Sequence, residues 1–168
     1  MVAPLLFSFA DQEAPATLTL RVGKYLHKDG TPHWCKALVL QNGTKVRKLN
    51  IALPNFRPEQ VYTVGIEIKP GKGRYRDTRM VTISPQFIVD NRCSGKLKIS
   101  QRAYATSFFD AEAQATHLDL PPSCNLPFHW PRLDKEQLLC VKLVEMDRCH
   151  WSGGFPIGAV DSFHINIR

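Results

Sequence analysis

A chain of 168 residues can bury one sizeable hydrophobic core, or two small ones. Hydrophobic residues make up 43% of it and charged residues 22%, which excludes a predominantly disordered chain, and its apolar runs are far shorter than the ~20 residues of a membrane span. The formal net charge of +7 is compatible with acidic partners, namely nucleic acid, anionic lipid headgroups or acidic peptides.

Alternation of apolar and polar residues is the dominant pattern along the chain. It occurs at residues 17–22, 62–68, 96–100 and 163–168, and short β-branched runs occur at 80–83 and 87–89. Because half-buried strands alternate in this way, the chain is predicted to be all-β, built from antiparallel β-sandwich repeat modules with little helix. Residues 108–117 are rich in alanine and acidic residues, and we expect a loop or a turn or two of helix there.

One block of sequence occurs twice. Residues 18–22 precede His-Trp-Cys at 33–35, and residues 139–143 precede His-Trp-Ser at 150–152. In both copies, apolar residues follow the tryptophan at the fourth, sixth and twelfth positions. Such repetition is typical of repeat architectures, in which each unit needs its neighbours to complete a buried surface.

The repeat predicts two modules. Residues 1–80 would form the C-terminal part of one β repeat with a connecting hairpin, and residues 81–168 most of the next. The three tryptophans, Trp34, Trp130 and Trp151, are predicted to fill the cores or the seams between sheets, since an indole buries ~150–250 Å². The alternative is that one of them lines a peptide groove.

The densest positive charge surrounds the turn at residues 71–73. Its five cations are Lys69, Lys72, Arg74, Arg76 and Arg79. Tyr75 is the one aromatic residue among them, whereas a surface for single-stranded nucleic acid uses several stacking rings, so we predict no nucleic-acid partner. Two alternatives stay open here, a solvated hairpin tip and a contact with an anionic membrane.

The sequence offers little chemistry for catalysis or metal binding. It contains no G-x-S-x-G, H-E-x-x-H, G-x-G-x-x-G or Walker motif, and His33 and His150 occupy equivalent repeat positions, as parts of a module would. The five cysteines are an odd number without a C-x-x-C pair, which is typical of a reduced, cytosolic protein. Zinc sites need close ligand pairs, so no enzyme activity, metal or cofactor is predicted.

Asn91 ends the run of residues 85–91. An asparagine at a strand end commonly caps a turn by bonding to nearby backbone. Alternatively, its side chain holds a loop against a ligand or a neighbouring module. From the sequence alone, we expect Asn91→Ala to weaken ligand recruitment and to leave the fold largely intact.

Three sequence segments, at residues 78–91, 126–130 and 151–157, together resemble the adaptor-binding (SHR-binding) region of the vacuolar protein sorting 13 family. Within the family they point to the animal D-type branch. The resemblance implies about one and a half repeats of a very large, rod-like protein that moves phospholipids between organelles. In the family, a row of β-sandwich repeats carries a recurring asparagine after a strand, which falls here on Asn91.

The resemblance also implies a function and partners. The module would recruit organelle adaptor proteins through short proline-containing peptides, docking them at a strand edge formed by Phe87, Ile88, Val89 and Asn91. Further partners would be the rest of the parent chain and, peripherally, the membrane. The expected location is the cytoplasmic side of organelle membranes, at contacts of the endoplasmic reticulum with mitochondria, endosomes or the lysosome or vacuole. The rival functions are direct binding to an anionic membrane and a purely structural spacer.

Overall fold

The chain divides into two compact units. The computed structural model describes residues 5–10, 13–24, 29–55, 57–105, 114, 116–146, 148–159 and 161–167. Unit 1 consists of Met1–Glu59 and Val64–Ser84, and unit 2 of Gln60–Thr63 and Pro85–Arg168. The predicted repeat boundary between residues 80 and 81 stays a prediction.

Strands dominate the described residues, and the all-β prediction is confirmed. In chain order, the strands are β1 (Thr17–Leu18), β2 (Thr31–Pro32), β3 (Leu38–Val39), β4 (Gly43–Ala52), β5 (Gln60–Pro70), β6 (Arg79–Pro85), β7 (Phe87–Asn91), β8 (Leu97–Gln101), β9 (Leu118–Leu120), β10 (Cys124–Phe128) and β11 (Leu139–Leu143). A 3-10 turn at Gly73–Tyr75 and the one-turn helix α1 at Arg102–Ala105 are also present. Most of the stretch at 108–117 lies outside the described residues. No described helix has the length and apolar character needed to cross a membrane.

Unit 1 is organised around long strands with one apolar face. The sheet order is β2-β4-β5-β6, and β1 pairs separately with β3. Because side chains two apart share a face, the alternation along β5 places Ile66 and Ile68 together, and both are fully buried. They pack with Leu38 and Leu40 into the core of this unit.

Unit 2 has an aromatic core between short antiparallel sheets, β10-β7 and β11-β8-β9. Ile99, Phe128, Trp130, Leu139 and Val141 are buried there. The rings of Phe128 and Trp130 meet edge to face with centroids 4.9 Å apart, an arrangement that aromatic pairs prefer. This core holds the strands of unit 2 in place.

The three tryptophans differ in burial. Trp130 is 5% exposed, which confirms its prediction as a core residue, whereas Trp34 is 60% exposed, so the prediction that it fills a core is wrong. The guanidinium of Arg21 lies 4.5 Å from the ring centroid of Trp34 and covers it in part. Trp151 is half-buried, with the ring of His117 at 5.0 Å.

Hydrogen bonds show that the two repeated blocks are structural copies. In the first, the Leu20 amide donates to the Cys35 thiol sulfur at 3.3 Å, and the Cys35 amide donates to the Leu20 carbonyl at 2.8 Å. In the second, the Val141 amide donates to the Ser152 hydroxyl at 3.0 Å, and the Ser152 amide donates to the Val141 carbonyl at 2.8 Å. The Cys35 thiol and the Ser152 hydroxyl therefore accept the equivalent backbone hydrogen bond in the two copies.

Strand register gives the same correspondence. Leu18 lies opposite Leu38 in the first copy, and Leu139 lies opposite Phe155 in the second. In the repeat, Leu139 is the equivalent of Leu18 and Phe155 is the equivalent of Leu38. The paired residues are 38 − 18 = 20 positions apart in the first copy and 155 − 139 = 16 positions apart in the second, and the pairing is the same in both. The repeated sequence block is thus a repeated backbone arrangement.

We expect Ser152→Ala to lower the free energy of unfolding by about 1–2 kcal/mol, because the buried Val141 amide loses its acceptor. Ser152→Cys should retain most of the stability, since Cys35 makes the equivalent bond in the first copy. Urea denaturation measures both, with the exposed Ser162→Ala as the control. Equal losses for Ala and Cys would contradict the shared role.

Candidate functional site

Asn91 lies at the end of β7 with its side chain inside the protein, at 1% exposure. Its Nδ2 lies 3.0 Å from each of three carbonyl oxygens, those of Gly95, Leu120 and Pro121. Its Oδ1 accepts a hydrogen bond from the Cys93 amide, also at 3.0 Å. The amide group thus ties the turn that follows β7 to the end of β9, and its polar atoms are satisfied within unit 2.

β7 is the strand that the sequence singled out, and it pairs with β10 in a two-stranded sheet. Phe87 and Val89 are half-buried against the aromatic core, while Ile88 points outward with 62% exposure. Just before the strand, the Gln86 amide donates to the Thr63 carbonyl at 3.3 Å. Along Phe87–Asn91, no described strand pairs with the second edge of β7.

A narrow crevice, without room for a water molecule, lies beside β7 in unit 2. Its lining residues are Val61, Thr63, Gln86, Phe87, Phe128, His129, Trp130 and Leu133. Trp130 brings a polar atom as well as a ring, because its indole Nε1 is buried and no group in the described part of the chain accepts a hydrogen bond from it. A buried donor without an acceptor is uncommon in folded proteins and calls for an explanation.

The crevice carries no positive charge at neutral pH. Burial lowers the pKa of His129 below its usual value, so this imidazole stays neutral at pH 7. The ring of Tyr62 lies 5.0 Å from that of His129, and burial raises the pKa of the Tyr62 phenol. The crevice is thus lined by aromatic rings together with the polar side chains of Thr63, Gln86 and His129.

Two of the predicted basic residues are engaged within unit 1. Lys69 forms a salt bridge with Glu67 at 2.7 Å on the exposed face of β5. Arg79 donates a hydrogen bond from Nη1 to the backbone carbonyl of Leu40. Neither side chain is therefore fully available to an external anion.

The other three basic residues share the loop between β5 and β6. Lys72, Arg74 and Arg76 are exposed there, and Arg76 lies 3.6 Å from the carboxylate of Asp77. The Arg74 guanidinium stacks 4.9 Å from the ring centroid of Tyr75, which is 48% exposed. The tip of this hairpin thus presents three cations and one aromatic ring.

Sequence reasoning placed Phe87, Ile88, Val89 and Asn91 on one strand end but missed the crevice. The segment at 126–130 contributes two of its aromatic residues, Phe128 and Trp130, of which the sequence predicted only the core position of Trp130. The unpaired N–H of Trp130 has no signal in the sequence, because it depends on which groups surround the indole.

Comparisons with known proteins identify the family. The model of the vacuolar-sorting associated protein 13 adaptor binding domain matches residues 1–168. The chain is 42% identical over 167 residues to human intermembrane lipid transfer protein VPS13D and 37% identical to Drosophila melanogaster Vps13D. It is also 22% identical to VPS13 of Chaetomium thermophilum.

The chain therefore belongs to the VPS13 adaptor-binding domain family, and the predicted D-type resemblance is confirmed. The matches cover 98–99% of this chain but only 4% of the length of each of these three relatives.

Proposed function

We propose that this chain is a protein-interaction module that binds short, proline-containing segments of adaptor proteins along the second edge of β7. The single observation that supports this site is that a strand edge with no partner strand among the described residues lies beside an aromatic crevice. The family to which the chain belongs is described by adaptor binding.

Strand addition suits a proline-containing ligand. An added strand bonds through every second residue, so a proline can take the outward positions, where no N–H is needed. Its ring can pack on Phe87, which is half-buried beside this edge. Asn91 is buried and does not contact the peptide in this arrangement; its hydrogen bonds hold the end of β7 in position.

At the level of the cell, we propose that the module recruits a lipid-transfer protein to organelles through such adaptors. The relatives are named intermembrane lipid transfer proteins, and they are about 25 times longer than this chain, which covers 4% of them. We place the module on the cytoplasmic side of organelle membranes, at membrane contact sites with mitochondria, endosomes or the lysosome or vacuole. Its role there is binding, without catalysis.

We expect Ile88→Lys to weaken the binding of fluorescein-labelled Pro-x-Pro peptides at least ~10-fold in fluorescence anisotropy, because the charge would stand on the docking edge. The fold should persist, since Ile88 is 62% exposed. Ile83→Lys is the matched control, as Ile83 on β6 is 50% exposed and lies in unit 1.

Two further arms test the same site. Peptides in which both prolines are alanine should bind more weakly, and Phe87→Leu, which removes the half-buried ring and keeps much of its apolar volume, should lower affinity several-fold. If Ile83→Lys weakens binding as much as Ile88→Lys, the site is not the β7 edge. If the folded protein binds no proline-containing peptide, it acts as a structural spacer at this position.

A second candidate function is contact with an anionic membrane. The observation that favours it is the exposed loop carrying Lys72, Arg74, Arg76 and Tyr75. Each cation near an anionic bilayer contributes about 1 kcal/mol, so replacing the three by glutamine should abolish sedimentation with phosphatidylserine vesicles at low salt. Binding that survives this change, or that is equal on neutral vesicles, would contradict the candidate.

A further inference from the structure

Unit 1 contains a groove of about 590 Å³, a volume typical of ligand sites. One wall is the segment at 33–37, which carries Trp34 and Lys36, and the other is β4, which contributes Val46, Arg47 and Lys48. Trp34 is 60% exposed and Val46 58% exposed. Two apolar side chains therefore stand open on opposite walls.

The groove exists because two segments separate. β2 pairs with β4 only at Ile51 and Ala52, and the last backbone bond between them runs from the His33 amide to the Asn50 carbonyl at 2.9 Å. Beyond it, the chain leaves β4, although β4 continues back to Gly43. In the described part of the chain, no strand pairs with this edge of β4 at residues 43–49. One of its backbone groups, the Val46 carbonyl, accepts a hydrogen bond from Arg47 Nη1 at 2.9 Å, which an added strand would displace.

The electrostatics of the groove favour an anion. Lys36, Arg47 and Lys48 line it, and none of its described lining residues is acidic. The Nε of Arg47 is buried without an acceptor in the described part of the chain. At one end, the Asn50 side-chain amide donates to Glu59 at 2.8 Å, so a carboxylate stands there and the anion-binding part of the groove is the portion beside Lys36, Arg47 and Lys48.

Trp34 and Trp151 occupy the same position in the two repeat copies but differ in their surroundings. Trp151, the equivalent residue in unit 2, has the ring of His117 at 5.0 Å and is half-buried. In unit 1, the ring contact of Trp34 is the Arg21 guanidinium, which adds another positive charge at the groove. The same repeat position is thus packed in one copy and open, within a cationic setting, in the other.

We propose that this groove is a second binding site, which takes an extended acidic peptide as an added strand along residues 43–49 of β4. The peptide backbone pairs with the free edge of β4, one apolar side chain packs on Trp34 and Val46, and its carboxylates meet Lys36, Arg47 and Lys48. The site is separate from the β7 edge in both its location and its ligand chemistry.

The test uses a fluorescein-labelled peptide in which one valine has three glutamates on each side (the Val-Glu peptide), so that carboxylates stand on both faces of the added strand. Val-Gln and Val-Lys peptides, in which glutamine or lysine replaces every glutamate, serve for comparison. We expect the Val-Glu peptide to bind at least ~10-fold more tightly than the Val-Gln peptide, and the Val-Lys peptide not to bind. Lys36→Glu with Lys48→Glu should weaken Val-Glu binding at least ~10-fold, and Trp34→Ala about 5-fold.

The matched control is Lys135→Glu with Arg148→Glu, two exposed basic residues of unit 2 outside the groove, which changes the net charge equally. It should alter affinity less than ~2-fold at 0.15 M salt, where distant charges are screened. Ile88→Lys should leave Val-Glu binding unchanged, which separates this site from the β7 edge.

Three results would overturn the proposal. One is equal weakening by the control pair, which would make the attraction a net-charge effect. Another is equal binding of the Val-Gln peptide. A third is binding of phosphatidylserine vesicles that depends on Lys36 and Lys48 without any binding of the Val-Glu peptide, which would assign the groove to a lipid surface. Circular dichroism of each variant confirms that it is folded.

Discussion

Replacing Asn91 with alanine is expected to lower the free energy of unfolding of unit 2 by about 3 kcal/mol, because each buried group left unsatisfied costs about 1–3 kcal/mol. The variant leaves the carbonyls of Gly95, Leu120 and Pro121 and the amide of Cys93 without this partner. Urea denaturation followed by far-ultraviolet circular dichroism measures the loss. The contacts change the expectation from the sequence, that the replacement would spare the fold.

The matched control for this prediction is Asn125→Ala. Asn125 is an exposed residue on β10, the strand paired with β7, and its loss should cost less than ~0.5 kcal/mol. A cost for Asn91→Ala no greater than that of Asn125→Ala would contradict the anchoring role. Loss of peptide binding by an Asn91→Ala protein of undiminished stability would instead make Asn91 a ligand contact.

Asn91→Asp separates hydrogen bonding from side-chain shape. The new carboxylate would face three carbonyl oxygens inside the protein, which favours its neutral form and raises its pKa in the folded state. The folded state then binds a proton more tightly than the unfolded state, so stability should rise as the pH falls from 7 toward 5. Stability of this variant that parallels the original protein across that range would contradict the buried site.

Replacing Phe128 with alanine is expected to cost about 3–5 kcal/mol of stability, the usual range for a buried phenylalanine. Phe128 is 3% exposed, and its ring meets Trp130 edge to face within the core of unit 2. The same ring lines the crevice beside β7, so peptide binding at that edge should be lost with it. Chemical denaturation and peptide titration on the same sample give both results.

Phe163→Ala provides the comparison for Phe128. Phe163 is 49% exposed and contacts Phe155 with ring centroids 5.3 Å apart, so its replacement should cost no more than about 1 kcal/mol. Phe128→Leu should fall between the two, because it keeps part of the buried volume. Equal costs for Phe128→Ala and Phe163→Ala would contradict the position of the core.

Much of the fold could be predicted from local pattern. Alternation at 62–68 predicted a strand with one apolar face, and Ile66 and Ile68 are fully buried on β5. The duplicated block predicted a repeat, and the paired bonds of Cys35 and Ser152 bear out the equivalence. These features are local because side-chain direction in a strand follows position along the chain.

The candidate site was predictable only in part. Phe87, Ile88, Val89 and Asn91 were placed on one strand, but the run at 87–89 is apolar throughout, so its sequence did not show that Ile88 faces outward between half-buried neighbours. The crevice was not predicted, because its walls come from residues 61–63, 86–87 and 128–133. Such a surface forms only when distant segments pack together.

The sequence by itself determined the strand-rich class, the duplicated block and the family to which they belong. Tertiary structure alone decided the environments of chemically identical residues. Trp130 is enclosed by the core of unit 2, whereas Trp34 stands open where β2 diverges from β4. Burial depends on the packing of segments far apart in the chain, and neither tryptophan's immediate neighbours carry that information.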